Sequence, residues 1–235
     1  MKDEYLKRTK GLLGEENYNS YKTKRIAVFG LGGVGGTAVE SLARLGFNNL
    51  LLVDFDKVDP TNLNRQILYK ESDIGKVKTE AAKRHLLELD DSINVETLNI
   101  KVDRDIDNEL KKYEIDFIVD AIDDVSAKVM LSKYVQDNNI PSIVSLGMAN
   151  RLDPSQVRIM KLDKTTHDPL AKKVRYEFKN AGMDTKQVNV VISLEEPKKD
   201  GVNLNSIITV PSSAGLSIAF FVISYFNNKN KWVLY

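Results

Sequence analysis

Short apolar runs alternate with longer amphipathic stretches along most of the chain. Arg25 to Gly30, Asn49 to Asp54, Asp116 to Asp120 and Ser142 to Leu146 are nearly continuous apolar runs closed by glycine or acidic residues. Such runs read as strands buried on both faces. Ile93 to Leu98 alternates with a period of two and reads as a further strand. Between these runs, Val34 to Leu45, Lys76 to Leu89 and Val125 to Asp137 carry apolar residues at helical spacing, and Asp105 to Lys112 reads as a short polar helix. Regular alternation of strand and helix predicts an α/β fold: a Rossmann-like, mostly parallel sheet with helices on both faces.

The pattern changes after Gly147. Gln156 to Lys161 and Val188 to Leu194 read as strands, with a basic amphipathic helix over Pro169 to Asn180 between them. Glu195 to Asn205 is polar, contains Pro197 and Gly201, and reads as a surface loop. Ile207 to Phe226 is apolar and roughly long enough to span a bilayer. Pro211, several serines and a strand-like start argue instead for a buried C-terminal helix that begins near Ser212, at a subunit contact. The expectation is therefore a single domain over 1–235 and no membrane span. Antiparallel C-terminal strands and a C-terminal helix extend its sheet.

Composition removes several functions. The 235 residues carry a formal net charge of +1, which does not imply a strongly basic nucleic-acid binder but leaves room for local basic patches. Cysteine is absent, so disulfides, thiolate zinc sites and a catalytic thiol are excluded. Met1 to Lys10 is charged and lacks an apolar signal core, which makes a cytoplasmic location the expectation.

Gly30-Leu31-Gly32-Gly33-Val34-Gly35 lies between the first strand and the first helix. That placement suits a phosphate loop. Glycines permit the tight turn and the close approach of backbone to phosphate, and the helix start presents free amides to an anion. Asp54 closes the second strand, where a carboxylate can accept from ribose hydroxyls. These features serve NAD, flavin and ATP equally. The following stretch, Asp54 to Gln66 and then Asp73 to Lys78, separates them, because it adds Arg65 and Lys78. A triphosphate attacked at its α-phosphorus needs fixed cations on its oxygens, whereas a dinucleotide does not. Asp123, in Asp120-Ala121-Ile122-Asp123-Asp124, falls at the carboxyl edge beside the glycine turn and is the candidate for Mg2+, with Asp120 structural and Asp124 capping the next helix.

The segments VFGLGGVGGTAVESLARLGFNNLLLVDFDKVDPTNLNRQ, DIGKVK and DAID resemble the adenylating domain shared by ubiquitin-activating enzymes and the bacterial molybdopterin- and thiamine-synthesis adenylating enzymes. RTKGLLGEE, GMANRLDPSQVRI, LDKTTHDPLAKKVRYEFKNAG and SIITVPSSAGLSIAFFVI are similar to tRNA threonylcarbamoyladenosine dehydratases, homodimers that use ATP to cyclise the threonylcarbamoyl group of a tRNA adenosine. The resemblance implies a nucleotide-binding core over 25–149, an N-terminal helical arm over 1–24, and a substrate-side and dimer-contact extension over 150–235. It implies a cofactor set of Gly30, Gly32, Gly33, Gly35, Asp54, Asp56, Asn62, Asn64, Arg65 and Lys78. It further implies catalytic roles for Arg65, Lys78, Asp123 and Arg8, the last reaching the neighbouring subunit's ATP. ATP and Mg2+ are the implied cofactors, without zinc, and threonylcarbamoylated tRNA and a second copy are the implied partners.

This chain departs from many adenylating relatives in lacking both the paired Cys-x-x-Cys zinc ligands and a crossover-loop cysteine. An intramolecular ring closure needs no enzyme thiol, so the departure fits a dehydratase and opposes thioester formation. Two basic clusters, Arg151, Arg158, Lys161 and Lys164, then Lys172, Lys173, Arg175 and Lys179, are candidates for phosphate contact, and His167 and Asp168 lie between them. For Asp168 a helix-capping role is expected. The competing readings are adenylation of a ubiquitin-like sulfur carrier, a non-catalytic ATP-binding scaffold, and an NAD-dependent oxidoreductase.

Overall fold

The computed structural model describes residues 4–166, 168–198 and 204–227. Its centre is a seven-stranded sheet. The strands are β1 (Arg25–Phe29), β2 (Asn49–Val53), β3 (Asn94–Leu98), β4 (Phe117–Asp120), β5 (Ser142–Ser145), β6 (Val157–Lys161) and β7 (Asn189–Ser193), in the order β3-β2-β1-β4-β5-β7-β6. All neighbours pair in parallel except β6, which runs antiparallel to β7 at the edge. The expected antiparallel extension is thus one edge strand, and β7 continues the parallel sheet.

The helices are α1 (Lys7–Leu13), α2 (Glu15–Tyr21), α3 (Gly33–Arg44), α4 (Lys78–Leu89), α5 (Ile106–Leu110), α6 (Val125–Asp137), α7 (Pro169–Asn180) and α8 (Thr209–Phe226). One sheet face is covered by α3, α4 and α8 through Val39, Leu42, Ala82, Leu86, Ala214 and Ile218. The other is covered by α5 and α6, and further along by α7 through Ala171, Val174 and Phe178. Strand order reverses between β1 and β4. In open parallel sheets the crevice for ligands opens at such a point, beyond the carboxyl ends of the strands.

Helix α8 differs from its expected start. It begins at Thr209 rather than near Ser212, and residues 204–208 before it form no strand. Pro211 misled the sequence reading because it is the third residue of the helix, where its missing N–H has no intrahelical carbonyl to serve. By length and composition α8 could cross a membrane. Here Val210, Ala214, Ile218 and Val222 are buried in the core. Gly215 brings α8 onto α3: a Cβ there would lie 2.6 Å from both the Thr37 Cβ and the Val34 carbonyl oxygen. Ser212 and Thr37 hydroxyls meet at 3.2 Å in the same contact.

The extension is fastened by a buried ion pair. The Arg151 guanidinium donates to Asp168 Oδ2 at 2.6 Å, and the two side chains are 2% and 1% exposed. Arg151 also donates to the carbonyls of Gly147 and Glu195, at 2.6 and 2.8 Å. Asp168 Oδ1 accepts from the Ala171 amide at 2.6 Å, which is the expected helix cap. Arg151 is therefore a structural tie and leaves the basic cluster in which its sequence neighbours placed it.

Adding a methyl at Gly215 forces α8 off α3, because a backbone carbonyl cannot move aside. Gly215→Ala should lower unfolding stability by about 1–3 kcal/mol, read as a shifted urea midpoint at constant m-value. A wild-type midpoint would show that the two helices are not held at this distance.

Candidate functional site

Gly30 leaves β1 with φ +85°, a conformation that glycine adopts without strain. A Cβ there would sit 2.6 Å from the Ala121 carbonyl oxygen, so the turn lies directly on the turn that follows β4. At Gly35 a Cβ would fall 1.8 Å from the Gly30 carbonyl oxygen. Only glycine fits these two positions. The chain enters α3 at Gly33 after a Gly32 cap, and no side chain caps the helix start. The first-turn amides are thus left for another acceptor, at the positive end of the helix dipole.

Asp54 anchors this turn to the next strand. It is 8% exposed. Its Oδ2 accepts from the Leu31 amide at 2.6 Å and its Oδ1 from the Asp56 amide at 2.8 Å. Asp56 Oδ2 then accepts from Lys78 Nζ at 2.9 Å, with the lysine side chain 7% exposed and the aspartate half-exposed. The intervening loop is pinned back on itself by Val58 and Gly75, whose amides donate to the carbonyls of Lys76 and Val58. Asp73 fixes its far end by accepting from Arg84 and from Lys76. A continuous set of polar contacts therefore leads from the glycine turn to Lys78 at the start of α4.

The residues between these anchors fold over the turn. Asn62 is buried and accepts the Asp59 amide at 3.1 Å, closing a short 3-10 turn over Pro60–Asn62. Asn64 donates to the Ser206 carbonyl at 2.8 Å, which ties this loop to the segment before α8. Arg65 donates to the Thr61 carbonyl at 2.9 Å and to Asn64 Oδ1 at 2.8 Å. A Cβ at Gly33 would meet the Arg65 carbonyl oxygen at 3.2 Å, its Cγ at 3.6 Å and Pro211 at 3.0 Å. The arginine stem thus lies against the start of α3. Tyr69 donates to the Leu31 carbonyl at 3.0 Å, and burial, with Asp54, Asp56 and Asp73 nearby, raises its pKa so that it remains a donor.

Asp123 is exposed on the turn between β4 and α6, the same turn that packs on Gly30. Asp120 is buried; its Oδ1 accepts from Lys128 Nζ at 2.8 Å and from the Ile122 amide at 3.0 Å. Its structural assignment is borne out, as is the Asp124 cap, which accepts the Ala127 amide at 2.8 Å. Among the described residues no three His, Cys, Asp or Glu side chains gather to hold a metal. A divalent ion at this edge would therefore take one carboxylate, Asp123, and complete its shell with phosphate oxygens and water. That donor set suits Mg2+.

Arg8 lies apart from this group. It is exposed on α1, and Tyr5 near that helix donates to Asp90, at the end of α4 opposite Lys78. The arm therefore sits at the amino edge of the sheet, remote from its own glycine turn. His167 lies outside the described residues.

The sequence reading missed Gln66. It is buried beside the turn, its Nε2 3.9 Å from where a Cβ on Gly32 would stand, and its Oε1 has no partner. It also missed Lys128, whose apolar helix context gave no hint of the buried Asp120. The first signal was visible as the residue after Arg65; the second required the fold.

Known proteins share this fold. The ThiF family model matches residues 6–229. A tRNA threonylcarbamoyladenosine dehydratase of Bacillus subtilis is 36% identical over 185 residues, covering 79% of this chain and 72% of that protein. The Escherichia coli enzyme of the same name is 34% identical over 172 residues, covering 73% of this chain and 64% of that protein. The crystal structure of the E. coli dehydratase, TcdA, in complex with ATP superposes with a TM-score of 0.90 at 28% identity, covering 95% of this chain and 94% of that one. The same enzyme in complex with AMP gives the same score. With a family model spanning nearly its whole length and dehydratases among its relatives, this chain belongs to the ThiF family, on the branch of the tRNA threonylcarbamoyladenosine dehydratases.

Proposed function

We propose that the chain is an ATP-dependent dehydratase acting on threonylcarbamoyladenosine in tRNA. The observation that carries this reading is the uncapped start of α3 with the Arg65 stem against Gly33 and Lys78 tied through Asp56 and Asp54 to the same turn. Free amides and two fixed cations around a glycine turn suit a triphosphate better than a dinucleotide.

ATP supplies an activated leaving group. The substrate's carboxylate oxygen bonds to the α-phosphorus as pyrophosphate leaves. A nucleophile of the same side chain then attacks the acyl carbon and gives up its proton to solvent, and AMP departs with that oxygen, so the nucleoside loses one water overall. The chain's part is to hold and neutralise. Amides of Gly32, Gly33 and Gly35 receive phosphate oxygens, with Gly30 shaping the turn. Asp54 and Asp56 would accept from the ribose hydroxyls with the lone pairs that Leu31, the Asp56 amide and Lys78 leave, and Asn62 and Asn64 order the covering loop. Arg65 offers a planar pair of donors and Lys78 a desolvated point charge. Asp123 would hold Mg2+, which would add positive charge beside the phosphates.

Arg8 completes this site only from a second copy, because its own turn lies across the sheet. The reading takes the enzyme as a homodimer, with residues 1–24 as the reaching arm, 25–149 as the nucleotide core and 150–235 as the substrate and contact side. Leu216, 58% exposed on α8, fits such a contact. A tRNA substrate fits a cytoplasmic enzyme.

Incubation with ATP, magnesium and threonylcarbamoylated tRNA should convert the nucleoside to a product lighter by one water, seen by nucleoside mass spectrometry, with AMP and pyrophosphate released. ATP binding with an unchanged nucleoside would overturn the reading. Pyrophosphate release driven instead by a small protein with a Gly-Gly tail would replace it with sulfur-carrier activation.

Arg65→Ala and Lys78→Ala should each lower turnover by about 10²–10³-fold, with circular dichroism unchanged. Wild-type turnover in either would remove that residue from catalysis. Asp123→Asn should move the magnesium titration of activity to higher concentration; an unshifted titration would take Asp123 out of the metal site.

A further inference from the structure

The outer face of α7 has an organisation that nucleotide chemistry does not use. Ala171, Val174 and Phe178 are buried. Lys172, Lys173, Tyr176, Lys179 and Asn180 are all exposed. At roughly 100° per residue, with Lys172 as origin, Lys179 falls near −20°, Tyr176 near 40°, Asn180 near 80° and Lys173 near 100°. The tyrosine is thus at the middle of the solvent face, opposite the core stripe, with lysines on both sides. Its ring is 64% exposed. Among the described residues none of the three lysines enters an ion pair. Glu177, half-buried, is the one acid in the exposed part of the helix and lies beyond Lys173. Arg175 is turned away and donates to the Thr165 carbonyl at 2.7 Å.

The position of this face relates it to the candidate site. Asp168 caps α7 and packs on Gly147 and Arg151, immediately past β5. The first turn of α7 therefore opens on the same sheet edge as the glycine turn. From β1 through β4 and β5 to β7 there are three strand intervals. At about 4.8 Å each they span roughly 15 Å across the sheet, and the outward face of α7 lies a helix layer beyond the last of them.

We propose that this face is a platform for the RNA part of the substrate. Tyr176 stacks on an unpaired base next to the reacting adenosine, and Lys172, Lys173 and Lys179 take the flanking phosphates. The proposal rests on the tRNA reading above and assigns the residues that recognise the loop. An exposed aromatic ring by itself is ordinary. A ring framed by uncompensated cations is the surface that single-stranded RNA uses, since every base offers a stacking face and every linkage a charge. An acidic protein would be drawn by the lysines alone and would not need the ring.

The test measures affinity of the full chain for labelled threonylcarbamoylated tRNA over a salt series. Tyr176→Ala should weaken binding about tenfold with the salt slope unchanged, and Tyr176→Phe should bind as wild type. Lys172→Gln combined with Lys173→Gln should lower the slope of log affinity against log salt by about 1.4. Mg-ATP affinity, measured calorimetrically, should be unchanged in all of them. Wild-type tRNA affinity in Tyr176→Ala overturns the platform while leaving the dehydratase reading intact, provided the wild type dehydrates its substrate. A wild type that neither binds nor dehydrates tRNA overturns both.

Discussion

The hydrogen bond from the Leu31 amide to Asp54 is the contact on which the rest of the edge depends. It crosses from the glycine turn after β1 to the end of β2 and fixes the turn with the α3 amides facing outward. Asp54 is 8% exposed, and a carboxylate so placed is stable only because backbone amides occupy both of its oxygens. The next link, Asp56 to Lys78, carries that order to α4. On the opposite side, Gly30 lies on Ala121, so the turn that holds Asp123 is set by the same glycine. Cations and carboxylate in the proposed site thus inherit their places from one turn.

Much of this was legible in the sequence because it depends on local rules. Strands of five residues buried on both sides leave continuous apolar runs, and the helices on the sheet keep their period. The boundaries of α6 and α7 coincide with the expected ones, since Asp124 and Asp168 cap them. The glycine turn could be read because its place between a strand and a helix is a local feature. What was not legible depends on distant partners. Arg151 counted as a surface base until Asp168 came to face it, and Lys128 was an unremarkable helix residue until Asp120 did. The start of α8 was hidden by Pro211, whose tolerance depends on its position within the first turn.

The extension sets the place of α7 relative to the glycine turn. Antiparallel β6 ends the sheet, and among the described residues no crossover helix covers α7 from that side. The buried Arg151–Asp168 pair holds the helix at the sheet's carboxyl edge. With neither charge able to reach water, loss of one partner would leave the other unpaired. Its outward lysines and Tyr176 are then presented at a fixed distance from the glycine turn. Binding charge is placed on this one face, and the whole chain needs a formal net charge of only +1.

The central claim is that the amides at the start of α3, framed by Arg65 and Lys78, form a seat for a magnesium-bound nucleoside triphosphate. Calorimetric titration of the wild-type chain with Mg-ATP tests it most directly. Saturable uptake of one nucleotide per chain, competed by AMP and indifferent to NAD, is the predicted result. Absence of saturable binding, or preference for NAD, would contradict it.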